Sequence, residues 1–223
     1  MQLALLLDYN YRGIRLGRIA IGSGVAIVQI LLYQVTMIFN MQRLSDPQQL
    51  WNISSPLDAM IPLVPESAWI YFLYIPSLIV PALLDIPMQR FLRYALSLAL
   101  AASLSSILFA LLPLRLFFEP YQCLELSCIA LDVLRSADAG VNILPSLHAS
   151  QCLLACIILF HTRAHLAIKS VPWLLALTLY LPIVLSTLLT KQHLIIDLPA
   201  GFLMAIFCWF LAGKMLERLP NEY

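Results

Sequence analysis

The chain has 223 residues, of which 61% are hydrophobic and only 11% charged. A water-soluble domain carries about 25% charged residues, so this composition excludes one and points to an all-α, polytopic membrane protein. The net charge of +1 leaves no bulk electrostatic case for a nucleic-acid partner.

A spanning helix needs about 20 mostly apolar residues. Six segments meet or approach that: 19–39, 68–84, 92–112, 146–162, 171–190 and 193–213. The first follows Arg12, Arg15 and Arg18 and is too long for a signal core, so it reads as a retained span. The second is short and holds Pro76 and Pro81. Near its outer boundary, Trp51, Trp69, Tyr71 and Tyr74 fit an interfacial aromatic belt, with the lining of a lipid entry path as the alternative. The fourth is also short and opens on Pro145-Ser146, a place in a helix where a missing N–H matters little. Thr190-Lys191-Gln192 leaves only a tight turn between the fifth and sixth, which makes them antiparallel neighbours. No linker or low-complexity tract interrupts the chain, so 1–223 reads as one domain.

Charge asymmetry sets the expected orientation. Six spans put both termini on one side, together with Arg12, Arg15, Arg18, Arg90, Arg93, Arg163, Lys169, Lys214 and Arg218. The other side holds Arg43, Arg115, Arg135 and Lys191, with most of the acidic residues in the loops 40–67 and 113–145. Both termini are therefore expected to be cytoplasmic. Small size and short loops suggest a bacterial inner membrane, with the long loops in the periplasm; the same topology would suit a eukaryotic lumen.

Two strings then carry the chemistry: Pro145-Ser146-Leu147-His148 and His193-Leu194-Ile195-Ile196-Asp197. Ionisable groups at the ends of apolar spans are costly and therefore functional suspects. His193 and Asp197 are four apart, so on a helix they share a face. A carboxylate bonded to one imidazole nitrogen fixes the tautomer and leaves the other with an exposed lone pair, the state of a prepared nucleophile. His148, in the first turn of the fourth span, could protonate a leaving alkoxide. Arg115, Lys191 and Ser146, with the free N–H groups of that helix start, would hold phosphate oxygens. The constellation reads as phosphoryl transfer through a phosphohistidine, without metal or other cofactor.

Plainer readings stand beside these. A lone helix-end histidine is most often structural, Arg115 could anchor at headgroups, and Lys191 could snorkel to the interface. Asp58 reads by default as a solvated loop carboxylate or helix cap, and His161 and His165 as interfacial residues. Cys152, Cys156 and Cys208 suit buried packing. Cys123 and Cys128, with four residues between them in an outer loop, could pair in an oxidising compartment. Zinc-ligand spacing is lacking.

Pro145-Ser146-Leu147-His148 resembles the Pro-Ser-Gly-His motif of the type 2 phosphatidic acid phosphatase superfamily. Its Pro-Ser-Leu-His form is that of the branch with inositol phosphorylceramide synthases and related bacterial membrane phosphatases. Ser186 through Asp197 resembles the third motif, Ser-Arg-x5-His-x3-Asp, and Leu198-Pro199-Ala200-Gly201 continues the likeness. Asp138 and Asn142 stand before Pro145 as in that branch. The resemblance covers roughly residues 58–213. It implies that His193 is the nucleophile, Asp197 its orienting carboxylate and His148 the proton donor. The chain departs from the pattern in places. Thr187 stands where the third-motif arginine would, and Lys191 is placed to share its role. Leu147 replaces the usual glycine. The first motif survives only as Pro113-Leu114-Arg115 with Glu119-Pro120.

The expectation is a membrane enzyme that hydrolyses a phosphomonoester or pyrophosphate on a phospholipid or isoprenyl lipid at the outer leaflet. A head-group transferase of the phosphorylceramide-synthase type is the alternative. A non-enzymatic lipid transporter or scaffold is the second.

Overall fold

The computed structural model describes residues 10–11, 14–43, 53–84, 86–112, 114–118, 120–121 and 125–217. A two-residue antiparallel pairing of β1 (Asn10–Tyr11) with β2 (Ile14–Arg15) leads into α1 (Leu16–Arg43). The other elements among the described residues are helices. The short helix α2 (Pro56–Met60) is followed by α3 (Ser67–Tyr71), α4 (Tyr74–Ser77) and α5 (Val80–Leu83). Then come α6 (Met88–Leu111), α7 (Leu126–Ala137) and α8 (Leu147–Thr162), and finally α9 (Val171–Leu189) and α10 (Asp197–Glu217).

Four of these, α1, α6, α9 and α10, are long and apolar enough to cross a membrane. Their outward faces carry Ile27, Leu31, Val35, Leu177, Leu185, Leu203 and Phe210, all exposed. Large apolar side chains exposed along helices of this length and apolarity suit a lipid environment. An integral membrane protein is the class this supports.

Two of the six anticipated spans look different. The segment 68–84 is three short helices, α3 to α5, in place of one. Pro76 and Pro81 lack N–H groups, so they cannot bond the carbonyls of Phe72 and Ser77. The chain stays near helical dihedrals but tightens into three-residue turns, such as Leu78 N–H to Ile75 O at 3.2 Å and Ala82 N–H to Ile79 O at 2.8 Å. The Ser77 carbonyl left open by Pro81 is taken by the Tyr180 hydroxyl of α9 at 3.0 Å. The other is α8, with 16 residues, about 24 Å long, against about 30 Å of hydrocarbon. It is apolar nearly all round, as suits a helix enclosed by others. Leu154, Ala155, Ile158 and Leu159 are wholly buried, in a core shared with Phe91, Tyr94 and Leu98 of α6 and Ala205 and Cys208 of α10.

Polar side chains tie the bundle at both poles. At one, Arg18 donates to Leu84 O at 3.3 Å, Arg90 to His161 O at 2.7 Å, and Arg93 to Trp209 O at 2.9 Å. At the other, Asn40 donates to Phe109 O at 2.9 Å and Arg43 to Ala110 O at 2.6 Å. Within 113–145, where no apolar run is long enough to predict a span, residues 126–137 form α7. Its buried face, Ala130, Leu131 and Leu134, packs on Ala68 and Tyr71 of α3. Cys128 of α7 is disulfide-bonded; Cys123 and Trp51 lie outside the described residues.

Candidate active site

The sixth span begins at Asp197, four residues later than the sequence reading placed it. His193 is therefore not on that helix. It lies in the connection between α9 and α10, which is shaped by how α9 ends. Lys191 adopts φ 61°, the left-handed conformation that closes a helix. Lys191 N–H reaches Leu188 O at 3.1 Å, and Gln192 N–H reaches Thr187 O at 2.9 Å. These are the two bonds of a Schellman cap. The His193 N–H also bonds Thr187 O, at 3.1 Å. Thr187 thus anchors the backbone of His193, while its own hydroxyl is turned inward to Val184 O at 2.7 Å.

Asp197 meets His193 by folding back across that connection. Its Oδ2 accepts from His193 Nδ1 at 3.2 Å and from Leu194 N–H at 2.8 Å. Oδ1 is buried with no hydrogen-bond partner among the described residues. With its Nδ1 proton committed to Asp197, His193 carries a lone pair on Nε2. That atom lies 3.3 Å from His148 Nδ1. The network assigns this proton to His148 and the lone pair to His193. Both rings are nearly enclosed, at 7% and 5% exposure for His148 and His193.

His148 is held by its place on α8 and by its neighbours. Ser146 caps that helix, its Oγ accepting from Ala149 N–H at 3.2 Å. Pro145 precedes the cap and is not part of the first helical turn. Ser146 N–H bonds Asp197 O at 3.1 Å, which brings the starts of α8 and α10 together. Gly201 permits the approach: a Cβ there would run into Ser146 O and stand 3.0 Å from Ala149 Cβ. The His148 ring leans on Tyr71 and Tyr74, with centroids 4.4 and 4.0 Å away. The sequence reading put both tyrosines in an interfacial belt. They are buried, at 7% and 6% exposure, whereas Trp69 stays exposed as a belt residue would.

His193 lines a cavity of about 470 Å³ whose wall also holds Arg115, Arg135, Lys191 and Asp58. Neither His148 nor Ser146 lines it. Arg115 is set there by Leu116 N–H to Gly140 O at 2.8 Å, beside the turn closed by Gly140 N–H to Asp138 Oδ1 at 3.1 Å. Lys191 lines the cavity, yet its Nζ bonds two backbone carbonyls, Asp58 O at 2.7 Å and Ile61 O. Asp58 is a cap, as the plain reading had it, and also a clasp. Its Oδ2 accepts from Ser55 N–H and Oγ at 2.7 and 2.6 Å, and its Oδ1 accepts from Ile195 N–H at 2.7 Å. Burial pushes the Asp58 carboxyl up, but the hydrogen bonds from Ser55 and Ile195 and the Lys191 charge outweigh it, so it lies below its ordinary value.

By itself, Arg135 carries no signal in the sequence beyond a charge in the stretch 113–145. It reaches the cavity because α7 exists, and its guanidinium stands 4.7 Å from the Phe118 ring centroid and 4.9 Å from that of Tyr121. The signal for it was the spacing of Cys128, Leu131 and Leu134 on one helical face, in a stretch too short to register as a span. No protein-family model, curated protein or solved structure matches the chain.

Proposed function

We propose that the protein is a six-span membrane enzyme that removes phosphate from a lipid phosphomonoester or pyrophosphate through a phosphohistidine on His193. The carrying observation is the relay from Asp197 Oδ2 to His193 Nδ1, and from His193 Nε2 to His148 Nδ1, at 3.2 and 3.3 Å beside a cation-lined cavity. The resemblance of the two histidine strings to the type 2 phosphatidic acid phosphatases supports the same reading.

Substrate phosphate enters the cavity and displaces the contact between the rings. His193 Nε2 bonds phosphorus as the ester P–O bond breaks, and His148 gives its Nδ1 proton to the departing lipid oxygen. Asp197 stabilises the imidazolium character that develops on His193. Water then bonds phosphorus, the P–N bond breaks, and His148 recovers a proton. Arg115 and Arg135 offset charge on the non-bridging oxygens. Lys191 acts mainly through the carbonyls it ties, with its charge at the cavity rim.

The side with more Lys and Arg is the cytoplasmic one under the positive-inside rule, so the site faces the periplasm or lumen. The substrate is a lipid because apolar surface surrounds the bundle. The test is a panel of lipid phosphates and pyrophosphates with purified protein in detergent. Inorganic phosphate release by the wild type, reduced about 10³-fold or more in His193→Ala, is expected. Label passed to a second lipid would make the enzyme a transferase. Absence of turnover across the panel overturns the enzyme reading and leaves a transporter or scaffold.

A further inference from the structure

The His148 ring packs on a tyrosine whose hydroxyl is hydrogen-bonded to side chains of both α1 and α8. Tyr74 lies along α8, with its ring against His148 at a centroid distance of 4.0 Å and its hydroxyl 2.9 Å from Gln151 Oε1. His148 and Gln151 are three residues apart and so share a helical face. The same hydroxyl accepts from Gln29 Nε2 of α1 at 3.1 Å. Gln29 and Gln151 are buried, at 5% and 0% exposure. Gln29 Oε1 and Gln151 Nε2 have no partner among the described residues. Two buried glutamines thus each commit a polar atom to one phenol, although leaving the remaining atom dry is costly. Core packing alone would favour leucine at both positions.

Tyr74 also needs anchorage of its own. It stands at the start of α4, in the stretch where Pro76 and Pro81 break the helical ladder. Local backbone bonding there is weaker than in a continuous helix. The two glutamines reach its hydroxyl from two different helices.

We propose that Gln29, Tyr74 and Gln151 are positioning residues that fix the His148 ring toward His193, so that α1 is wired into the site even though the family resemblance begins only near residue 58. For its effect on turnover, this rests on the phosphohistidine reading given above. Its structural core does not, and the two separate by experiment. Diethyl pyrocarbonate modification of His148 is followed by mass spectrometry on the full chain in detergent, with exposed His165 as internal reference. Tyr74→Phe keeps the ring and removes the anchor. Gln29→Leu keeps volume and acts from α1. In both variants the His148 rate relative to His165 is expected to rise about fivefold or more. On an active lipid phosphate, kcat is expected to fall about tenfold with KM within twofold of wild type. A relative modification rate within twofold of wild type in both variants overturns the proposal whatever the turnover. So does a loss carried by KM with kcat kept. If the wild type turns over no lipid phosphate, the modification rates still decide it.

Discussion

At the residue scale, the proposed chemistry rests on which atom of each imidazole carries a proton. Asp197 holds the Nδ1 proton of His193, so Asp197→Asn offers the amide in place of a charged acceptor and unsettles the tautomer. The expected result is a loss of about 10²-fold or more in kcat with intact membrane insertion, read by phosphate release. Arg135 lines the cavity from α7. Arg135→Gln is expected to raise KM and weaken inhibition by orthovanadate about tenfold, as loss of one charge-assisted contact would. The Asp58 carboxyl lies below its ordinary value. A depressed carboxyl contributes stability above its unfolded pKa of about 3.9, and that contribution is lost as pH falls through the lower folded value. Asp58→Asn is therefore expected to lower the thermal midpoint in detergent at pH 7. The gap from wild type should narrow as the pH falls below about 3.9 and vanish only below the folded value.

The sequence marked the two histidines and Asp197 as candidates because ionisable groups beside apolar runs have few bland explanations, and the fold brings the three together. It did not make Tyr71 and Tyr74 legible. An aromatic near a span end looks the same whether it faces headgroups or a buried histidine. Only the tertiary packing, which sets both rings against His148, decides between them. Lys191 shows the opposite case. Its place at the cavity was anticipated, but its engagement with Asp58 O and Ile61 O depends on a residue 133 positions away in sequence.

At the element scale, the site is assembled from helix ends. The connection between α9 and α10 holds His193 through a cap that needs a left-handed residue, a position glycine fills more easily than lysine. Lys191→Gly relieves about 1 kcal/mol of backbone cost but cuts the tie to residues 58 and 61. Activity is expected to fall with no gain in thermal midpoint, and a rise in both would show that the tie does nothing. The α8–α10 contact depends on Gly201. Gly201→Ala must push Ser146 away, so destabilisation of about 1–3 kcal/mol is expected with a matching loss of kcat. The i, i+4 spacing of His193 and Asp197 was correctly seen as a contact, yet its cause is a turn and not a helical face. A carboxylate at the first position of a helix bonds backward onto the chain that leads into it, and spacing alone does not separate the two geometries. The twelve-residue α7 escaped notice because a search for 20-residue apolar runs cannot register a short helix that docks one face on a neighbour.

At the scale of the whole molecule, four long apolar helices frame one short buried helix and one broken segment. The short helix is the one that carries His148. Its length suits a group that must sit below the bundle surface, since α8 can end inside a frame built by its longer neighbours. The composition made the membrane class plain at once. The number of complete crossings was less plain, because hydropathy does not separate a span from a buried core helix of similar apolarity. If six crossings place both ends together, cysteines introduced near the C-terminus should be blocked only by membrane-permeant reagents. A cysteine in 53–57, near the cavity, should react with impermeant ones.

The most direct measurement is rapid-quench trapping with a ³²P-labelled lipid phosphate, followed by peptide mapping. The account predicts label on the peptide containing His193, stable to alkali and labile to acid, and absent from His193→Ala. Turnover with no label at His193, or undiminished turnover in His193→Ala, would contradict it.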